Sequence, residues 1–216
     1  MNTAVNAKQA GAAGNPGPGA PKTARGARTR ARILKAAEHT FGTLGYHRAG
    51  ISDITRAAGV AQGTFYTYFA GKEEILRELV RDMGHQVRAH LAAEILDTDN
   101  RLEAEERGLR AFLQYLYENP SLYRVLQEAQ FVDEAIYRDY YEAFGKGYVR
   151  MLANATRKGE IRPGNNEVRV WALMGMSNFL GLRYGLWQNE GLNDAELDAV
   201  MDFIRNGIAI RSSDTP

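Results

Sequence analysis

The chain has 216 residues and a formal net charge of +1, a length that allows one large domain or a small domain joined to a medium one. It contains no cysteine, which excludes disulfides, a thiol nucleophile and thiolate metal sites. The small net charge conceals an asymmetry, because residues 1–35 hold seven basic side chains and no acidic one, and the remainder has a net charge of −6. A basic end on an acidic body directs the attraction for phosphate to one part of the chain.

Residues 1–26 are rich in glycine, alanine and proline and contain almost nothing to bury, so they are predicted to be a disordered basic arm. No apolar run follows the basic start, as a signal peptide would require. The longest uncharged apolar run, residues 170–182, is shorter than the roughly 20 residues of a membrane span. We therefore expect a soluble, cytoplasmic protein with no membrane partner.

Residues 27–74 predict a small helical domain. Its first helix carries the apolar stripe Ile33, Ala37, Phe41 and Leu44, and ends at Gly45. Two short helices follow around a turn at Gly59, with apolar residues on one face of each: Ile51, Ile54 and Ala58, then Phe65 and Phe69. A short second helix with a polar outer face is how a helix-turn-helix enters the major groove. The segment predicts binding to double-stranded DNA.

The predicted DNA contacts are of two kinds. Gln62 and Thr67 offer donors and acceptors to base edges, and Gly63 lets the helix backbone approach closely. Tyrosine hydroxyls, Lys72 and N-terminal arginines are expected on phosphates, although Tyr68 could instead be a core aromatic and Lys72 simply solvated. The full predicted set is Arg25, Arg28, Arg30, Ile51, Ala61, Gln62, Gly63, Thr64, Tyr66, Thr67, Tyr68 and Lys72.

This segment resembles the DNA-binding domain of the TetR family of transcriptional regulators. The shared pattern is Asp53-Ile54, Ala58-Gly59-Val60, Gly63 to Phe69, then Lys72-Glu73 with Leu76. The resemblance implies three N-terminal helices for DNA, a larger C-terminal helical domain for ligand and dimerisation, and phosphate contacts at Tyr66, Tyr68 and Lys72. Gly50 and Ala61 depart from the Ser or Thr that the family often has, and alanine is the poorer helix cap by about 1 kcal/mol. We therefore expect fewer phosphate contacts here.

Residues 75–216 predict an effector-binding and dimerisation domain, and the whole chain an all-α fold of about nine helices. The fourth helix should run into the low 90s, and the fifth should cover about residues 101–118. Asn119 and Pro120 predict the cap and first residue of a sixth. The eighth is expected at about residues 166–188 as one helix. No segment predicts a strand convincingly.

Aromatic side chains with a polar end are frequent in the fifth to eighth helices, and such residues line pockets for apolar or aromatic ligands. Each one alone is more often core than pocket. The predicted effector contacts are Tyr115, Tyr123, Arg124, Gln127, Glu128, Phe131, Tyr141, Phe144, Tyr148, Phe179, Arg183 and Trp187. Residues 119–133 and the pair Tyr140-Tyr141 loosely resemble TetR-type regulators of fatty-acid and aromatic-acid catabolism, which implies a CoA thioester as the small-molecule effector.

The last two predicted helices carry more apolar surface than one protomer needs, which predicts a homodimer through a four-helix bundle and a palindromic operator. The alternative is that this surface belongs to the protomer core. The predicted interface is Trp171, Met174, Asn178, Leu182, Leu197, Val200, Met201, Ile204 and Ile208.

The sequence does not predict an enzyme. The four histidines do not cluster, and neither a metalloprotease motif nor a phosphate-binding loop is present, so no catalytic residue, cofactor or metal ligand is proposed. The sequence instead predicts a ligand-responsive repressor that its effector releases from the operator. The alternative is a DNA-binding regulator without a small-molecule effector, an activator or an architectural factor.

Overall fold

The computed structural model describes residue 21 and residues 23–209. Within these residues the chain forms nine α-helices, one π-helical segment and no strand. The helices are α1 Ala24–Leu44, α2 Ile51–Ala58, α3 Gln62–Tyr68, α4 Lys72–Glu94, α5 Arg101–Glu118, α6 Pro120–Val132, α7 Glu134–Lys158, α8 Asn166–Leu180 and α9 Asp194–Ile208, with the π-helical segment Gly181–Gln188 between the last two. The all-α fold predicted from the sequence is confirmed.

Helix α1 begins earlier than predicted. The Thr23 hydroxyl accepts a hydrogen bond from the Gly26 N–H at 3.1 Å and caps the helix at Ala24, inside the segment predicted to be a disordered arm. Arg25 therefore lies on a helix and not on an arm. The rest of the predicted arm, residues 1–20 and 22, lies outside the described residues.

The helix-turn-helix forms for local reasons visible in the chain. Gly50 precedes α2, and its N–H donates to the Asp53 carboxylate at 2.9 Å, which ties down the first turn without a capping hydroxyl. Gly59 ends α2 at φ 61° and ψ 42°, a left-handed conformation that favours glycine. Phe65 and Phe69 are fully buried, as their spacing predicts.

Two details of the C-terminal helices differ from the sequence-based expectation. The Asn119 side chain donates to the Tyr115 carbonyl at 2.9 Å and does not cap α6. The expected single helix over residues 166–188 becomes π-helical at Gly181. A Cβ at Gly181 would lie 2.4 Å from Leu116 Cδ1, so this wider turn lies directly against α5.

The buried side chains form two clusters. The first joins α1–α4 with α6 and the start of α7, and the second joins α5 and the end of α7 with α8 and α9. The second cluster corrects part of the predicted dimer interface, because it buries four of those side chains within the protomer: Leu197, Met201, Ile204 and Ile208. Val200 is half-buried against the same cluster. The apolar stripe of α9 faces inward because α9 packs on α5 within the second cluster, which helical period alone could not reveal.

No helix in the described part of the chain is long and apolar enough to span a bilayer.

Candidate nucleic-acid interface and ligand cavity

The exposed face of α3 carries most of the predicted DNA contacts. Ala61, Gln62, Gly63 and Thr67 are exposed, and the Tyr66 side chain is 50% exposed with its ring edge against Phe65. A Cβ at Gly63 would meet nothing within 4 Å, so the backbone is bare at this point. This surface offers amide, hydroxyl and backbone groups to a partner without any rearrangement of the core.

Three predicted contacts on α2 and α3 are only partly exposed: Ile51, Thr64 and Tyr68. Ile51 and Tyr68 pack against the first core cluster. A Cβ added at Gly26 would lie 3.3 Å from the Tyr68 hydroxyl, which therefore sits beside the start of α1. The Tyr68 ring therefore packs on the core, which is one of the two roles that the sequence left open.

The Lys72 ammonium is already hydrogen-bonded within the protein. It donates to the carbonyls of Tyr46 at 2.8 Å, Ala49 at 3.1 Å and His47 at 3.4 Å, and it lies 4.3 Å from the centre of the Tyr46 ring. These contacts use all three of its donors and hold the loop between α1 and α2. The structure therefore gives Lys72 an internal role where the sequence predicts a phosphate contact or a solvated side chain.

The three arginines predicted to contact phosphate have different environments. Arg25 and Arg28 are exposed on α1. Arg30 forms an ion pair with Glu78 of α4 at 2.6 Å and stacks 5.0 Å from the centre of the Phe69 ring. Arg30 thus connects α1 to α4, and Arg25 and Arg28 are left facing solvent.

A cavity of about 240 Å³ lies between helices α4–α9. Four predicted effector contacts line it: Tyr123, Tyr141, Phe144 and Tyr148. Most of the remaining lining is apolar and includes Leu91, Leu109, Phe112, Leu116, Leu126, Leu173 and Met174. The structure thus places part of the predicted aromatic set around one cavity that is partly open to solvent.

The other eight predicted effector contacts lie outside this cavity: Tyr115, Arg124, Gln127, Glu128, Phe131, Phe179, Arg183 and Trp187. Phe131, Phe179 and Trp187 are 82%, 68% and 67% exposed. Tyr115 packs on the ring of His90, and Glu128 accepts a hydrogen bond from the Tyr46 N–H. Residue type alone could not predict these positions, because aromatic and polar side chains also occur on helix faces that do not meet the cavity.

One end of the cavity is a neutral hydrogen-bonded pole around Asn178. Its side-chain oxygen accepts from the Tyr123 hydroxyl at 2.9 Å and from the Tyr141 hydroxyl at 3.2 Å. Burial raises the pKa of Tyr123 to about 12 and also raises the pKa of Tyr141, so both remain hydroxyl donors at neutral pH. Asn178 and Met174 were predicted in the dimer interface. The structure instead places both residues in the wall of the cavity.

The other end is a charged pole that the sequence interpretation missed. Arg101 and Glu105 are 8% and 4% exposed, and Arg101 Nε lies 2.9 Å from Glu105 Oε1. The Tyr148 hydroxyl donates to the other oxygen of Glu105. Burial raises the pKa of Glu105, while the charge of Arg101 and the Tyr148 hydrogen bond oppose that rise.

A signal for this pole is present in the sequence. Arg101 and Glu105 occupy one helical stripe with Leu109, Phe112 and Leu116, so charges stand at positions where the period predicts apolar residues. Charged residues on a buried stripe are a departure from the pattern, and such departures mark functional or strained sites.

Two helices connect the cavity with the DNA-binding helices. Helix α4 lines the cavity through Arg88, Leu91 and Ala92 and begins directly after α3. Helix α6 lines it through Tyr123 and Leu126 and packs closely on α1.

The packing of α6 on α1 leaves little room for adjustment. A Cβ at Gly42 would lie 2.4 Å from Ser121 Cβ, and Glu128 accepts a hydrogen bond from the Tyr46 N–H in the loop after α1. A shift of α6 at the cavity must therefore move α1 or break these contacts.

Known proteins share both parts of this architecture. Residues 33–79 match the family model described as bacterial regulatory proteins, tetR family. The HTH-type transcriptional regulator TtgR of Pseudomonas putida is 30% identical over 200 residues, covering 85% of this chain and 94% of TtgR. The HTH-type transcriptional regulator YdgC of Bacillus subtilis (strain 168), described as uncharacterized, is 36% identical over 107 residues, 47% of this chain and 54% of YdgC.

Among solved structures, the transcriptional regulator FadR from Bacillus subtilis in complex with stearoyl-CoA superposes with a TM-score of 0.70 at 20% identity, covering 82% of this chain and 95% of FadR. That likeness shows the all-helical fold, and the relatives that match in sequence are named transcriptional regulators and not enzymes. With a matching DNA-binding segment and a full-length relative at this identity, the chain belongs to the TetR family of bacterial transcriptional regulators.

Proposed function

We propose that this regulator is a repressor that binds a palindromic operator as a homodimer and is released by a small apolar or aromatic effector. The observation that carries the proposal is a mainly apolar cavity, partly open to solvent, that is lined by α4 and α6, two helices that also contact the DNA-binding helices. Residues 27–74 read DNA in this proposal, and residues 75–216 bind the effector and the second protomer.

Helix α3 enters the major groove in the proposed complex. The exposed amide of Gln62 and hydroxyl of Thr67 face base edges, and the bare backbone at Gly63 permits close approach. The Tyr66 and Tyr68 hydroxyls contact phosphate, and the exposed Arg25 and Arg28 add charge at the start of α1.

The dimer forms through the outer face of α8. Five exposed residues share that face at helical spacing: Val168, Trp171, Ala172, Gly175 and Phe179. Phe203 of α9 is 73% exposed and adds apolar area. Exposed aromatic and aliphatic side chains in a row favour burial against another surface, and a two-fold axis pairs the same face of each protomer.

Effector binding and DNA binding are coupled through α4 and α6. Two recognition helices reach successive major grooves only if they are about 34–36 Å apart. An effector that fits the cavity better when these helices are tilted shifts the protein away from that spacing, by as much as its affinity for the two states differs.

A CoA thioester belongs to the proposed class of effectors. FadR from Bacillus subtilis was solved with stearoyl-CoA and has the same fold. The exposed face of α7 offers basic side chains for phosphates: Arg138, Lys146, Arg150, Arg157 and Lys158.

Two substitutions on α3 test its proposed docking. Tyr66→Phe removes one phosphate donor and is expected to weaken binding to all DNA sequences alike by roughly 0.5–1.5 kcal/mol. Gln62→Ala removes a base contact and is expected to relax the preference at one base pair of each half-site by about 1–3 kcal/mol. Fluorescence anisotropy on operator and scrambled duplexes at one salt concentration measures both. Unchanged binding by both variants would place the recognition surface elsewhere.

The effector part is tested by titration on labelled DNA from upstream of the regulator's own gene. We expect CoA thioesters or their free acids to lower the anisotropy of the bound duplex, because the cavity communicates with the DNA-binding helices through α4 and α6. A duplex with a scrambled half-site is the control for a loss of DNA binding that does not depend on the operator sequence. Tight operator binding that no compound disturbs would favour the alternative, a regulator without a small-molecule effector.

A further inference from the structure

The buried guanidinium of Arg101 has more donors than its surroundings use. Among the described residues, Glu105 is the one acidic side chain that forms an ion pair with it, although a guanidinium offers five N–H donors. Arg101 Nε and Glu105 Oε1 are 2.9 Å apart, but neither atom has a properly directed hydrogen bond to any described residue. Because burying unused donors is costly, this pole of the cavity is suited to receive an acceptor from a bound molecule.

The charges around the pole favour an anion over a cation. One oxygen of Glu105 accepts from Tyr148 and the other faces Arg101, so this carboxylate is already compensated. The only other formally charged residue among those that line the cavity is Arg88, which makes two cations against one anion. Helix α5 begins at Arg101, but its first turn is already compensated, because the Arg101 backbone N–H donates to the Glu160 carboxylate at 2.9 Å.

The opposite pole has different chemistry. Tyr123, Tyr141 and Asn178 already hydrogen-bond one another, and the wall between the two poles is mainly apolar. Glu105 and Leu116 both line the cavity from α5, and at 1.5 Å per residue they are about 16 Å apart along the helix. The space is therefore elongated, with charge at one end.

From this arrangement we infer that the effector is an apolar monocarboxylate whose carboxylate pairs with Arg101 and whose hydrocarbon or aromatic body lies along α5. This inference rests on the proposed function, because it assumes that the effector occupies this cavity. A thioester has no carboxylate for Arg101, so within the proposed class of effectors this pole favours a free acid over its CoA thioester. Glu105 and Tyr148 are positioning residues that hold the guanidinium at the cavity wall.

Head-group selectivity tests the inference without DNA. Octanoate, 1-octanol and octylamine are unbranched eight-carbon compounds that differ in their head groups. Isothermal titration calorimetry on the full-length protein compares their affinities. We expect octanoate to bind at least about ten-fold more tightly than either of the others, the ratio that one charge-assisted hydrogen bond supplies. Equal affinities for the three compounds, or a preference for octylamine, would overturn the inference and leave the proposed cavity in place.

Variants at the pole assign the selectivity to Arg101. Glu105→Gln removes the competing negative charge while its amide oxygen still positions the guanidinium, so octanoate binding is expected to tighten about ten-fold. Removing Arg101 alone would leave the buried Glu105 without a counter-charge, so the double variant Arg101→Met with Glu105→Gln is used. It should lose the octanoate preference and keep the affinity for 1-octanol, whereas Arg124→Met, exposed on α6, should behave as the parent.

Two results separate the inference from the proposed function. If the double variant, with a parent-like melting curve, still prefers octanoate, Arg101 is not the recognising group and the inference fails alone. If none of the three compounds binds the parent, the inference and the effector role of the cavity fail together. Operator binding, measured separately by anisotropy, would still stand as the function of α3.

Discussion

Replacing Phe65 with alanine is expected to destabilise the protein by about 3–5 kcal/mol and to abolish operator binding. The Phe65 side chain is fully buried, contacts the Phe69 ring at 5.6 Å between ring centres, and is the only fully buried residue that α3 contributes. Without it, the short recognition helix has little to hold it on α2. Urea denaturation followed by circular dichroism measures the stability, and anisotropy measures DNA binding.

Phe131→Ala is the matched control, because it removes the same atoms from a side chain that is 82% exposed on α6. Its free energy of unfolding should stay within about 0.5 kcal/mol of the parent. A Phe65→Ala variant that loses less than about 1 kcal/mol and still binds the operator would show that α3 does not depend on this core contact.

Phe179→Arg is expected to convert the proposed homodimer into monomers and to lower operator affinity at least about 100-fold. The side chain is 68% exposed on the outer face of α8, so the substitution does not disturb the protomer core. A charge at the two-fold interface meets its own copy in an apolar setting, and the loss of the second half-site removes an avidity of roughly 10²–10⁴. Light scattering after size exclusion gives the mass, and anisotropy gives the affinity.

The control for this prediction is Phe131→Arg, which introduces the same charge at an exposed phenylalanine away from α8. It should leave both mass and affinity unchanged. A Phe179→Arg protein that stays dimeric with full operator affinity would place the interface on another surface and contradict the proposed dimer.

The helix-turn-helix was predictable because its determinants are local. Gly59 adopts the left-handed conformation that ends α2, and the i, i+4 spacing of Phe65 and Phe69 alone puts both rings on one face. Helical period likewise predicted the bounds of α5 correctly, and the Asn100 side chain caps its first turn. Local patterns could not predict that Lys72 turns back onto three carbonyls of the preceding loop.

The division between core, cavity and surface was less predictable. Helical period predicted that α9 has one apolar face, but its packing on α5 determined that Met201 is buried and Phe203 exposed. Phe131 and Phe144 look alike in the sequence, yet one is in solvent and the other lines the cavity. Periodicity identifies which residues share a face, and only the neighbouring helices determine what that face meets.

By itself, the sequence determined the all-α fold, the DNA-binding segment and membership of a family of regulators, because each depends on residues close together in the chain. The tertiary structure alone brought Arg101 and Glu105 of α5 to Tyr148 of α7. It also brought Asn178 of α8 to Tyr123 of α6 and Tyr141 of α7. These groups are 37–55 residues apart within the neutral pole, and the Tyr148–Glu105 pair of the charged pole is 43 residues apart. Contacts over such separations depend on how whole helices cross, so the chemistry of the cavity is a property of packing and not of any local motif.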